Sequence, residues 1–131
     1  MSSRKKLKRQ IQFIKNFLQL PEEMQISLIV APLDGDMGLF TRLADNHYVI
    51  ILDEGMTSEQ QLHTIAHELV HIKQRLDGRL IFKQKKQIWC GTKYKIKTED
   101  DYWLAPWEME ARAMEAYLAS KWYNRKHTQK N

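Results

Sequence analysis

The stretch TIAHELVHIKQ, Thr64 to Gln74, sets two histidines four residues apart with a glutamate directly after the first. It lies inside a longer pattern in which Leu62, Ile65, Ala66, Leu69, Val70, Ile72 and Leu76 recur at helical spacing. Thr57 or Ser58, with Gln60 or Gln61 three residues on, offers a capping box at its start, and Gly78 terminates it. Residues four apart on a helix project from one face, about 40° apart round the axis, so His67 and His71 can each aim a ring nitrogen at one point. Glu68 stands about 100° round from His67, outside that chelate but within reach of a water beside it. One side of this helix must therefore pack while its polar stripe keeps a route to solvent.

Two imidazoles holding one ion suit zinc. Zinc lowers the pKa of bound water towards about 7, and a neighbouring carboxylate can take its proton and later pass it to a leaving amine. A catalytic zinc normally has three protein ligands and one open position, so the rest of the chain must supply a third. No second motif histidine follows closely; His127 is the only histidine downstream and sits in a polar tail, residues 125–131. The acids at hand are Glu108, Glu110 and Glu115, all on a helix expected to begin near Pro106, because proline suits a first helical position. Trp107, Ala111, Met114, Leu118 and Trp122 supply its buried stripe. His63, one turn before His67, reads as a cleft-wall or exposed histidine, with a further metal ligand as the lesser alternative, and His47 as structural or exposed.

Residues 3–19 read as a helix with Leu7, Ile11, Ile14 and Leu18 on one side, ended by Pro21, and the segment 1–20 forms a basic N-terminal element. Met24–Pro32 is a β-branched run that suits a buried strand, and LFTRL and HYVIIL flank ADN as a hairpin from Leu39 to Leu52. Residues 79–97 alternate weakly and suit a second hairpin or an ordered loop. A chain of 131 residues builds one core, not two. The expectation is an α+β fold: an N-terminal helix, a small mixed sheet of three to four strands, the motif helix and a C-terminal helix packed across it.

The single cysteine, Cys90, makes no internal disulfide and reads as a half-buried small apolar residue, so a reducing, cytoplasmic setting is expected. No segment approaches the roughly 18–20 apolar residues of a membrane helix, and IQFIKNFLQL is too interrupted for a signal peptide. Six basic residues and no acid fall in residues 1–15, and nine basic residues against Asp77 alone in residues 73–97. Nucleic-acid contact through residues 4–15 and 73–97 is therefore an open alternative to a pair of solvated faces.

HELVH at 67–71 followed by E108-x-x-A111 resembles the gluzincin arrangement of zinc metallopeptidases, in which the ligand glutamate opens a second helix with a small residue three places on. WCGTKY and YWLAPWEMEA are similar to stretches of small phage-encoded and bacterial zincin-like proteins, of minigluzincins and of metallopeptidase domains of the ImmA/IrrE type. The resemblance implies a single zincin-like domain over residues 1–131, with His67, His71 and Glu108 as zinc ligands, Glu68 as general base and a peptide or protein as substrate. Ala111 would be small so that the glutamate helix can approach, and Glu110, about 200° round from Glu108, is the alternative ligand. Where larger gluzincins often place an acid four residues after the ligand glutamate, this chain has Arg112. Arg112 has no acceptor for an imidazole N–H, so Glu115 or a backbone carbonyl must serve. Tyr102 is the candidate donor to a developing oxyanion, with Trp89, Trp103 and Trp107 as candidate cleft walls. A binding or regulatory protein of the same fold, without proteolytic activity, is the alternative reading.

Overall fold

The computed structural model describes residues 3–35 and 37–129; residues 130 and 131, the end of the expected polar tail, lie outside the described residues. Helix α1 (Arg4–Phe17) is capped by Ser3, whose hydroxyl accepts from the Lys6 N–H, and buries Leu7, Ile11 and Ile14. It closes in a Schellman turn: Leu20 N–H donates to Lys15 C=O and Gln19 N–H to Asn16 C=O, with Gln19 in the left-handed region. Part of its basic charge is engaged internally. Arg4 reaches the Leu28 carbonyl, and the buried Lys15 ammonium donates to the Met24 carbonyl.

A mixed three-stranded sheet follows, β1 (Gln25–Ala31), β2 (Gly38–Ala44) and β3 (His47–Asp53), in the order β1-β3-β2. β3 runs parallel to β1 and antiparallel to β2, so β2 is an edge strand with one row of backbone groups free of strand pairing. The β2–β3 hairpin matches the expected one, and its second strand, β3, lies at the centre of the sheet and buries Tyr48, Val49, Ile50 and Leu52.

Helix α2 (Ser58–Leu76) is the central rod. Thr57 and Gln60 form the capping box, and Gly78, at φ 74°, ends the helix in a second Schellman turn. Leu62, Ile65, Ala66, Leu69 and Ile72 are fully buried, each large side chain contributing roughly 1.5–3 kcal/mol by leaving water. α1, the sheet and α4 (Pro106–Gln129) surround α2, and Ala111, Leu118, Ala119 and Trp122 of α4 complete the main core. α4 continues to Gln129, through most of the stretch expected as a tail.

Residues 80–94 form a second, antiparallel sheet of three short strands, β4 (Leu80–Lys83), β5 (Lys86–Trp89) and β6 (Thr92–Tyr94). Its turns are Gln84-Lys85 and Cys90-Gly91, all four residues at positive φ, as hairpins of two-residue loops require. That places Cys90 at an exposed turn tip and corrects the half-buried reading; the turn geometry, not the thiol's apolarity, decides its position. A short helix α3 (Glu99–Leu104), capped by Thr98 and Asp101, precedes α4; it leaves no mark on the apolar pattern, since it buries no residue. Leu80, Ala105 and Trp107 pack together as a satellite cluster with Trp89 and Tyr94. No helix among the described residues is long and apolar enough to cross a membrane.

Gly38 is where β2 meets α2. A Cβ there would collide with the Thr64 methyl carbon, so either that side chain or the strand must shift. Gly38→Ala is expected to cost about 1–3 kcal/mol in chemical denaturation, partly recovered by the additional Thr64→Ser. A Gly38→Ala protein as stable as the parent would contradict this packing.

Candidate metal centre

α2 and α4 converge where His67, His71 and Glu108 meet. Pro106 opens α4 after Ala105, which is held extended as residues before proline are, and this sets Glu108 in the first turn. The Glu108 carboxylate enters between the two imidazoles: Oε1 lies 3.0 Å from His67 Nε2 and Oε2 lies 3.1 Å from His71 Nε2. The two Nε2 atoms are themselves 3.1 Å apart. Ligands about 2.05 Å from a tetrahedral zinc stand about 3.3 Å from one another, so three donors at this spacing already outline one face of a coordination shell. Among the described residues this is the one His/Cys/Asp/Glu cluster able to hold a metal ion.

The outer nitrogens are equally committed. His67 Nδ1 lies 2.8 Å from Glu115 Oε1, and His71 Nδ1 lies 2.8 Å from Gln74 Oε1. Both partners are acceptors, so each Nδ1 carries the proton and donates; in the neutral ring each Nε2 then presents its lone pair inwards. Glu115, the stand-in acceptor expected because position 112 is Arg, lies on the same face of α4 as Glu108, two turns on. Its other oxygen, Oε2, is 3.1 Å from His63 Nδ1, which makes His63 a wall of the site. Sequence reasoning missed Gln74, although its place three residues after His71 puts it on the same helix face.

Glu110, the alternative ligand, faces away. Its carboxylate receives both close contacts of Arg79 Nη1, at 2.8 and 3.0 Å, and a hydrogen bond from Gln74 Nε2. His47 pairs with the Ser27 hydroxyl at 2.7 Å on the sheet. Arg112 stacks its guanidinium 3.8 Å from the Trp103 ring centroid and donates to the Trp103 carbonyl.

A cleft of about 330 Å³ opens over the cluster, lined by His63, His67, Glu68, Tyr102, Trp103 and Glu108, with Gly35, Met37 and Gly38 at the β2 side. Trp103 lines it as expected, whereas Trp89 and Trp107 pack in the satellite cluster. Tyr102 is half exposed on the cleft wall. A larger groove of about 860 Å³, between Phe40, Arg42, Arg75 and Ile81, carries none of the converging groups. The smaller cleft is thus the candidate site.

Burial pushes the Glu68 carboxyl up to about 7, against the pull of His71 and His67. Burial also works against charge on His67, but the carboxylates of Glu108 and Glu115 outweigh it and raise the imidazolium to about 9. For Glu108, desolvation is outweighed by the facing imidazoles of His67 and His71, which bring it down to about 2. Each ring nitrogen of His67 faces its own carboxylate, Nδ1 that of Glu115 and Nε2 that of Glu108, and this arrangement favours the charged imidazole.

The family model of the IrrE N-terminal-like domain, peptidase M78, matches residues 21–88, from the start of the mixed sheet through α2 to β5. Glu108 and the rest of α4 lie outside the matched stretch. No curated protein and no solved structure matches the chain.

A metal ion needs neutral imidazole, so uptake must expel the proton that His67 holds with its pKa near 9. Calorimetry in buffers of different ionisation enthalpy at about pH 8 is expected to show about one proton released per metal ion, with about one ion bound per chain. Uptake without proton release would contradict the assignment of His67.

Proposed function

The chain belongs to the family of the IrrE N-terminal-like domain, a peptidase family, and on that premise we propose that it is a zinc-dependent peptidase cutting peptide bonds in a protein substrate. One observation carries the reading: two imidazole nitrogens and a carboxylate converge beside the buried Glu68 at the base of an open cleft. His67, His71 and Glu108 hold the ion in this reading, a donor set that zinc takes in hydrolytic sites with one position left open. Bound there, zinc supplies a Lewis acid that acidifies water.

Glu68 acts as the general base. It takes a proton from the attacking water and returns it to the leaving amine, and a pKa of about 7 lets it do both near neutral pH. Tyr102 is the candidate donor to the oxygen that becomes negative as the carbonyl is attacked, since it stands on the cleft wall with Glu68 and Glu108. Substrate binds extended, as an added strand on the free edge of β2, whose first residue Gly38 borders the cleft. The whole of residues 1–131 serves as one zincin-like domain for this purpose.

The rival within the same family is a regulatory protein that binds through the cleft without cutting. Arg112, standing where larger gluzincins carry an acid, favours the rival; Glu115, which accepts from His67 Nδ1 in its place, supports the enzyme. Glu68 also argues for the enzyme, because a pure binder has no use for a buried carboxylate with a raised pKa.

Zinc-loaded protein is expected to cleave an unfolded protein such as reduced casein, and a chelator to stop it. Glu68→Gln should lower the rate by about 10²–10⁴ while zinc content stays the same. Cleavage undiminished in Glu68→Gln would remove the base from the mechanism, and zinc binding with no cleavage by the parent protein would favour the regulatory reading.

A further inference from the structure

Glu110 is two residues from Glu108 in the chain, yet it faces the opposite side of α4, where it ends a chain of contacts that starts at His71. Gln74, fully buried, connects the two. Its amide nitrogen lies 3.0 Å from the Trp107 carbonyl oxygen and 3.1 Å from Glu110 Oε1, two groups that can only accept. The NH2 end of the amide is therefore pinned on that side, and Oε1 must face His71, 2.8 Å from Nδ1. Glu110 is itself held by Arg79, at 2.8 Å, and Arg79 lies over the Trp89 ring of the second sheet, 5.2 Å from its centroid.

We infer that Gln74 is a positioning residue for the metal centre, and that Glu110, anchored by Arg79, acts with the Trp107 carbonyl to fix the sense of its amide so that His71 carries its proton on Nδ1 and turns Nε2 to the ion. The inference rests on the metal-centre reading above. It gives the second sheet a part in the site, because the β4–β6 unit fixes Arg79 and thereby supports a ligand on α2. It also distinguishes the two imidazoles. His67 donates to a carboxylate on α4, whereas His71 donates to a neutral amide whose orientation depends on an ion pair one bond further out. Were the amide to turn over, an NH2 would face Nδ1–H, and the ring would have to shift its proton to Nε2 or rotate.

The test uses the full chain loaded with Co²⁺, read by visible absorption and by competition with a chromophoric chelator. Gln74→Leu, which keeps the bulk and removes the acceptor, is expected to weaken Co²⁺ binding about 10–100-fold and to change the d–d spectrum. Glu110→Ala, at a partly exposed position, leaves the amide held by the Trp107 carbonyl alone and should cost several-fold in affinity even if Gln74→Leu does not fold. A purely structural role for Gln74 would lower the melting temperature of the metal-free protein without moving the spectrum. Parental affinity and spectrum in Gln74→Leu or in Glu110→Ala would overturn the inference alone. A parent protein that binds no Co²⁺, or binds it equally after His67→Ala, would overturn the metal-centre reading and the inference together.

Discussion

The carboxylate of Glu108, set between the Nε2 atoms of His67 and His71, is the innermost of the polar contacts that join α2 to α4 beside their apolar packing. Everything polar in the site is arranged round that contact. The helix carrying the histidines is buried against α1, the mixed sheet and α4, so it presents its motif residues on a support with little freedom to yield. Ala111, fully buried one turn after Glu108, leaves room for α4 to lie close to α2. Pro106 fixes the point where α4 begins and so the height at which Glu108 enters.

Such a cluster is costly for a small domain. Glu68, His71 and Glu108 are all less than a tenth exposed, and burying ionisable groups is unfavourable unless each is paired. The pairing here is nearly complete: Glu108 with both histidines, His67 with Glu115, and His71 with Gln74. Glu68 is the carboxyl left with a raised pKa, about 7, because burial disfavours its charge more than the two imidazoles favour it. A carboxylate kept in that condition beside two imidazoles suits proton transfer better than it suits stability.

Much of this could be read from the sequence because it follows from periodicity and capping. The α2 stripe, its Thr57–Gln60 box, the Gly78 stop, the β2–β3 hairpin and the Pro106 start are local patterns, and each matches the structure. His67, Glu68 and His71 share a helix, so their relation needs only helical geometry. The meeting of Glu108 with them spans 41 residues between His67 and Glu108, and the matched family stretch ends at residue 88; resemblance to gluzincins, not spacing, pointed to it. What stayed illegible depends on packing between elements. Gln74 is an ordinary residue until Trp107 and Glu110 arrive from α4 to orient it. The exposed Cys90 and the three-stranded second sheet depend on tight turns at positive φ, carried by Gln84, Lys85 and Cys90, residues with no strong turn signature. Helix α3 buries nothing, so hydrophobic patterning had no trace of it.

The central claim is spatial: one ion, gripped from two helices, with a side open to the cleft. Anomalous diffraction at the zinc absorption edge from crystals of the zinc-loaded chain addresses it directly. The account predicts a single strong peak about 2 Å from His67 Nε2, His71 Nε2 and a Glu108 oxygen, with the remaining side facing the cleft lined by Tyr102 and Trp103. A peak elsewhere, or zinc on the histidines with Glu108 turned away, would contradict it.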